Sequence, residues 1–103
     1  MQLDVTPEAL AAASGQVAAL TGRLIAANAA HMVANATILP PGSDLASVRT
    51  AGSLQASGMA HQAAAAMGNF ELASSSYGVG ESGVSYATGE GQAVATYAAA
   101  GGV

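Results

Sequence analysis

Two adjacent prolines, Pro40 and Pro41, divide the chain into two long stretches, and the only other proline is Pro7, near the start. Proline disfavours helical geometry at the residue before it, and Gly42 prolongs the break. The stretches on either side are alanine-rich and carry apolar residues at helical spacing. The sequence therefore predicts two helices joined by a turn at residues 39–44, and so short a connection makes them antiparallel neighbours.

Each predicted helix has a recognisable start. Thr6-Pro7-Glu8 supplies a capping hydroxyl, a proline whose φ angle suits the first helical position, and an acid at the positive end of the helix dipole. Ser43 and Asp44 offer the second cap. We expect helices over about residues 7–38 and 45–76. In the first, a stripe recurs every seventh residue, as in a helix that packs lengthwise on others, at Leu10, Val17, Leu24, His31 and Ile38.

The last quarter of the chain differs from the rest, because seven of the thirteen glycines follow Tyr77. This composition favours a poorly ordered segment. We expect residues 1–77 to form the hairpin and residues 78–103 a flexible tail. The predicted fold is all-α: an elongated antiparallel two-helix hairpin with a flexible glycine-rich C-terminal tail, completing a helical bundle with a partner chain.

Charge and composition exclude several functions. Arg23 and Arg49 are the only cationic side chains apart from histidine, and the formal net charge is −4, so the chain lacks the basic footprint that binds nucleic acid or anionic membranes. Without cysteine, neither a disulfide nor a thiolate metal site is possible. Asp4 stands where a secretory signal peptide needs positive charge, and no apolar run is long enough to predict a membrane span.

A hairpin of this composition is expected to need a helical partner. Hydrophobic residues make up 51% of the chain but aromatic residues only 4%, so one seam between alanine-rich helices buries too little apolar surface to offset the entropy of ordering them. Large side chains outside the seam, such as Met32, Val33 and Leu54, would leave an apolar face in water. A second copy or a dedicated partner would satisfy the pattern. The residues that we assign to the partner interface are Leu10, Val17, Leu20, Leu24, Ile25, Ile38, Val48, Met59, Met67 and Phe70.

Motifs that resemble catalytic or cofactor sites lack the neighbouring elements or ligands that such sites require. Gly78-Val79-Gly80-Glu81-Ser82-Gly83 matches a dinucleotide fingerprint by letter, but no strand precedes it and no helix and sheet follow. His31 and His61 are the only histidines, too few for a zinc site made from this chain's imidazoles, and are better explained by packing. We expect no enzyme activity, no cofactor, no metal and no small-molecule substrate.

Two tyrosines are followed four residues later by an acid: Tyr77 with Glu81, and Tyr86 with Glu90. Four residues make about one helical turn, so in a helical segment an aromatic ring and a carboxylate would project from one face. Such a pair suits recognition by another protein. The alternative is that both pairs belong to a solvated tail.

In combination, these segments resemble the mycobacterial PE family. The resemblance rests on Pro7-Glu8 near the start, on Leu39-Pro40-Pro41-Gly42-Ser43-Asp44 at the turn, and on Ser85-Tyr86-Ala87-Thr88-Gly89-Glu90, and it covers essentially the whole chain, which looks like a short member. The likeness implies an antiparallel helical hairpin that pairs with a PPE-family protein. It also implies export of the heterodimer by a type VII (ESX) secretion system, without a cleavable signal peptide, to the cell envelope or exterior.

The same resemblance implies that Tyr86 and Glu90 are the export signal, with Tyr77 and Glu81 as the second choice. After export, the family likeness suggests interaction with the host or solute uptake across the envelope, and the residues favour neither. Met1-Gln2-Leu3-Asp4 departs from the common opening, and the signal ends in glutamate rather than aspartate. The alternative function is a self-associating helical module without an export role.

Overall fold

The structure is a computed structural model that describes residues 4–101. Over that range it holds two α-helices and no strand: α1 spans Pro7–Ala36 and α2 spans Leu45–Ala99. The prediction of an all-α helical hairpin is confirmed. The expected bounds made α1 two residues too long, because the helix ends at Ala36 rather than near Ile38.

Both helices begin where the capping residues predict. The backbone N–H groups of Ala9 and Leu10 donate to the carbonyl of Thr6 at 3.0 and 3.1 Å, ahead of Pro7 at the first helical position. At the start of α2, the Ser47 hydroxyl donates to one carboxylate oxygen of Asp44 at 2.8 Å and the Ser47 N–H donates to the other at 3.0 Å. These two hydrogen bonds, the side-chain one foremost, hold the pKa of Asp44 below its usual value.

The second helix does not end near residue 76, and the expectation of a flexible tail from residue 78 is wrong for the described part of the chain. α2 continues to Ala99 and is followed by Gly101, which has a φ angle of 68°. A left-handed glycine commonly terminates a helix. At Gly83 the lack of a side chain has a packing role: a Cβ atom there would lie 3.2 Å from the carbonyl of Pro7 and 3.3 Å from Leu10 Cβ. Glycine lets α2 approach α1 at that point.

The chain divides into two compact units, each built from a segment of α1 and a segment of α2. Unit 1 contains the described residues up to Ala19 together with those from Ala73 onward, and unit 2 is Leu20–Leu72. In unit 2 the Gln55 side chain donates to the carbonyl of Ile38 at 2.8 Å, and Gly58 lies against Asn35. Rising residue numbers on one helix meet falling numbers on the other, so the helices are antiparallel.

Unit 1 is held by a reciprocal pair of hydrogen bonds. The Ser14 hydroxyl donates to the carbonyl of Ser76 at 2.7 Å, and the Ser76 hydroxyl donates to the carbonyl of Ser14 at 2.8 Å. Gly80 lies one turn further along α2, where a Cβ atom would be 3.1 Å from the Ser14 hydroxyl oxygen. The helices therefore meet here through serines and a glycine rather than through large apolar side chains.

The seam between α1 and α2 is made mostly of small and polar residues. On α2, positions alternately four and three residues apart are buried or half-buried, the spacing of a lengthwise helix contact. They are Ala51, Gln55, Gly58, Gln62, Ala65, Asn69, Leu72 and Ser76. Only one of these, Leu72, is a large aliphatic side chain.

Only the ends of the predicted stripe lie toward the seam with α2. Leu10, Val17 and Ile38 are half-buried, whereas Leu24 and His31 are exposed. The positions that face α2 between them are instead polar, and they are Thr21, Asn28 and Asn35. Thr21 is only 5% exposed. The compact side chains there allow close approach, since a Cβ atom on Gly58 would lie 2.9 Å from Asn35 Cβ.

Among the described residues, α1 is the one helix that is long enough and apolar enough to cross a membrane. Apolar helices that pack on other helices meet the same criterion, so this property is weak evidence of a bilayer span.

Candidate interaction surfaces

Unit 2 carries most of its large apolar side chains outside the seam, on the surface. On α2, Val48, Met59 and Phe70 recur every eleven residues, which is close to three helical turns, so they lie along one side of the helix. Met59 and Phe70 are 74% and 70% exposed. On α1, Ile25 and Met32 are seven residues apart and about half exposed. These exposed side chains form an apolar surface of the kind that soluble monomeric proteins rarely leave in contact with water.

A depression in unit 2 shows that the two helices contribute to the same face. It has a volume of about 300 Å³ and is lined by Met32 and Ala36 from α1 and by Met59, Gly58 and Gln62 from α2. Asn35 and Gln55 also line it. Two flexible thioether side chains and three side-chain amides thus line the same depression. Methionine adapts its shape to irregular contacts, which suits a surface that another helix covers.

The predicted interface residues fall into two groups. Three of them are half-buried rather than exposed: Leu10 and Val17 on α1, and Ile38 just after its end. The remaining seven are exposed and available to a partner: Leu20, Leu24, Ile25, Val48, Met59, Met67 and Phe70.

Sequence reasoning missed exposed apolar positions in the second half of α2, because that segment was expected to be a tail. Val84, Val94 and Tyr97 are each about two-thirds exposed on the helix. Val84 follows Tyr77 by seven residues, and Tyr77 follows Phe70 by seven. This spacing was a signal that the helical stripe continues beyond residue 77.

Tyr86 and Glu90 lie on α2 in unit 1, one helical turn apart, and not in a disordered tail. They border a depression of about 240 Å³ together with Asp4, Val5 and Pro7, at the start of α1. Tyr86 is 45% exposed, less than the other two tyrosines, Tyr77 and Tyr97. A ring and a carboxylate are thus presented side by side on an ordered helix.

The second pair is arranged differently. The Tyr77 hydroxyl donates a hydrogen bond to Glu81, and this bond together with the negative charge of Glu81 raises the pKa of Tyr77. Tyr77 is 70% exposed. The Tyr77 hydroxyl therefore has its hydrogen-bonding partner on the same helix, one turn further along.

The glycine-rich motif takes part in the contact between the helices, and the two histidines lie on the surface. The stretch from Gly78 to Gly83 lies within α2, where Gly80 and Gly83 contact α1. His31 and His61 are exposed. Among residues 4–101, no group of three or more histidine, aspartate or glutamate side chains is close enough to hold a metal ion.

Comparison with known proteins agrees with these features. A family model described as "PE family" matches residues 3–100. The chain is 46% identical to the "PE family immunomodulator PE5" of Mycobacterium tuberculosis over 102 residues, which cover 99% of this chain and 100% of that protein. It is also 46% identical to the "PE family immunomodulator PE15" of the same species, over 98% of this chain and 99% of that protein. No solved structure matches the chain.

Proposed function

The chain belongs to the PE family, and from that premise we propose that this mycobacterial protein is one half of an obligate heterodimer with a PPE-family protein, exported by a type VII secretion system. It acts by binding and not by catalysis. The observation that carries the proposal is the position of the large side chains among the described residues: the hairpin closes mostly on small and polar residues and leaves Met59, Met67 and Phe70, with most of the leucines, exposed.

Burial within the seam supplies little of the stability that these helices need. Thr21, Ala51 and Ser76 are the side chains that the hairpin buries most fully, at 5–6% exposure, and burying groups of this size yields little hydrophobic free energy. Each exposed leucine, methionine or phenylalanine that a partner covers contributes about 1.5–3 kcal/mol. Most of the favourable burial available to these helices therefore lies at an interface with another chain.

The export part of the proposal is supported by Tyr86 and Glu90. They lie one turn apart on an ordered helix, beside the N-terminus of α1, and face solvent. Destination and later role follow the family: the cell envelope or the exterior, with interaction with the host as the role that the relatives' name, immunomodulator, supports. Solute uptake across the envelope is the other role that the family likeness suggested.

The partner proposal is tested by co-expression. The chain with a cognate PPE protein is expected to give a soluble one-to-one complex, and a Met59→Ser, Phe70→Ser double variant is expected to lose it, because both side chains are exposed and support no intrachain seam. Ala60→Ser, at the exposed position beside Met59, is the matched control and should leave the complex intact. A full yield of complex from the double variant would contradict the proposed interface. A stable homodimer that ignores the PPE protein would favour the self-associating module instead.

The export proposal is tested by secretion. Tyr86→Ala is expected to abolish secretion from mycobacteria while the heterodimer remains intact in the cell. Tyr77→Ala is the comparison variant, since Tyr77 forms the second pair. Normal secretion of Tyr86→Ala together with loss for Tyr77→Ala would transfer the signal to Tyr77 and Glu81, and normal secretion of both would contradict an export signal in either pair.

A further inference from the structure

The end of α2 reaches past the start of α1. Gly83 approaches Pro7 and Leu10 closely, and Tyr86 and Glu90, further along α2, lie beside Asp4, Val5 and Pro7. From residue 91 to the end of α2, every described position is exposed except Ala93, which is half-buried. About two and a half helical turns therefore extend beyond the start of α1, the other helix among residues 4–101.

One side of this projecting segment carries two tyrosines. Tyr97 follows Tyr86 by eleven residues, close to three full turns, and Glu90 and Ala93 fall between them at spacings of four and three. The four residues consequently line one side of α2. Tyr97 is 65% exposed, and its ring lies beyond the tyrosine and acid that form the proposed export signal.

The two units differ in net charge. Unit 1 contains four acids, Asp4, Glu8, Glu81 and Glu90, and no lysine or arginine, whereas in unit 2 Asp44 and Glu71 are balanced by Arg23 and Arg49. The whole formal net charge of −4 therefore belongs to unit 1. A surface that binds there meets an uncompensated negative potential.

We infer that the side of α2 from Tyr86 to Tyr97 is one continuous docking face for a cationic protein groove with an apolar floor, in which Tyr97 is a second aromatic anchor. This inference rests on the proposed export function and assigns the groove to the secretion machinery. Tyrosine rings bury a large area and are frequent anchors of interfaces. An arginine or lysine at the rim would pair with Glu90, and the acids of unit 1 would speed the encounter through long-range attraction.

Secretion of the full chain with its PPE partner tests the anchor. Tyr97→Ala is expected to reduce secretion strongly while the amount of heterodimer in the cell stays unchanged, and Tyr97→Phe is expected to secrete normally, because the ring makes the contact. Gln92→Ala is the matched control: it lies on the same projecting segment but about 140° around the helix from Tyr97. Normal secretion of Tyr97→Ala, or equal loss for Gln92→Ala, would overturn the assignment.

A separate pair of variants tests the contribution of negative charge to docking. Asp4→Asn removes an acid that borders the same depression as Tyr86 and Glu90, and it is expected to lower secretion without abolishing it. Glu71→Gln removes an acid from the balanced unit and is expected to secrete normally. Equal secretion of these two variants and the wild type would exclude a cationic groove.

The outcomes separate this inference from the export proposal beneath it. If Tyr86→Ala blocks secretion and Tyr97→Ala does not, the docking face ends at Glu90, and the export function stands. If neither variant affects secretion, Tyr86 and Glu90 are not the export signal, and the docking face fails with that assignment.

Discussion

Gly58 and Gly68 lie ten residues apart on α2 and differ in their surroundings. A Cβ atom on Gly58 would be 2.9 Å from Asn35 Cβ, whereas one on Gly68 would have nothing within 4 Å. We predict that Gly58→Ala destabilises the protein by about 1–3 kcal/mol, because the seam must open to admit the methyl group. Gly68→Ala should stabilise it by about 0.4–1 kcal/mol by reducing the freedom of the unfolded chain.

The measurement is the thermal midpoint of each variant in the heterodimer, compared with the wild type. The two substitutions make the same chemical change in the same helix, so any difference reports the local packing. Equal shifts for Gly58→Ala and Gly68→Ala would show that α1 and α2 are not in close contact at Asn35.

The capping carboxylate of Asp44 leads to a prediction about how stability depends on pH. Hydrogen bonds from Ser47 lower the pKa of Asp44 in the folded protein below its ordinary value of 3.8. A lowered folded pKa means that the stabilisation is fully present above the unfolded value and is lost as the pH falls through the folded one. Asp44→Asn keeps a good capping residue but removes the titrating group. In the heterodimer, the variant should therefore melt nearly as the wild type does near neutrality and show a flatter decline in thermal midpoint below about pH 4.

The parallel control is Asp4→Asn, a carboxylate that caps neither helix. This variant should keep the wild-type acid dependence that Asp44 contributes. An identical acid decline in Asp44→Asn and the wild type would contradict the role of Asp44 as the cap of α2.

The contact between α1 and α2 in unit 1 makes its own prediction. Ser76 is only 6% exposed and exchanges hydrogen bonds with Ser14. Ser76→Ala should lower the free energy of unfolding by about 1 kcal/mol, since it removes one of the two bonds and leaves the Ser14 carbonyl without that donor. Ser82→Ala is the control, because the Ser82 hydroxyl bonds only within its own turn, to Gly78. Denaturant titration of the heterodimer that gives the same stability for both variants would contradict a stabilising contact between Ser14 and Ser76.

Local signals in the sequence were sufficient for where each helix starts and insufficient for where α2 ends. Thr6-Pro7-Glu8 and Asp44 act on neighbouring backbone groups, so they can be interpreted without knowledge of the fold. The role of Gly83 depends on Pro7 and Leu10, which lie more than seventy residues away in the chain. A glycine that permits close packing and a glycine in a disordered tail look alike until that neighbour is known.

The whole molecule has the expected number of helices but an unexpected distribution of side chains between them. Heptad spacing predicted that Leu24 packs against another helix but not which one; Thr21 and Asn35 lie closer to α2, and Leu24 is 44% exposed. Hydrophobic periodicity assumes that the largest side chains face the nearest helix. That assumption fails when a further chain supplies the larger interface. The Tyr86 and Glu90 pair was recognisable from its spacing, but its place on an ordered helix beside the start of α1 was not.

The central claim is that this hairpin buries too little of its own apolar surface to be stable alone. Thermal unfolding followed by circular dichroism, with sedimentation at the same concentration, tests it on the purified chain and on the chain with its cognate PPE protein. We predict weak helicity or aggregation and no cooperative transition for the chain alone, and a one-to-one complex with a sharp transition for the pair. A monodisperse, cooperatively melting monomer of the isolated chain would contradict the claim.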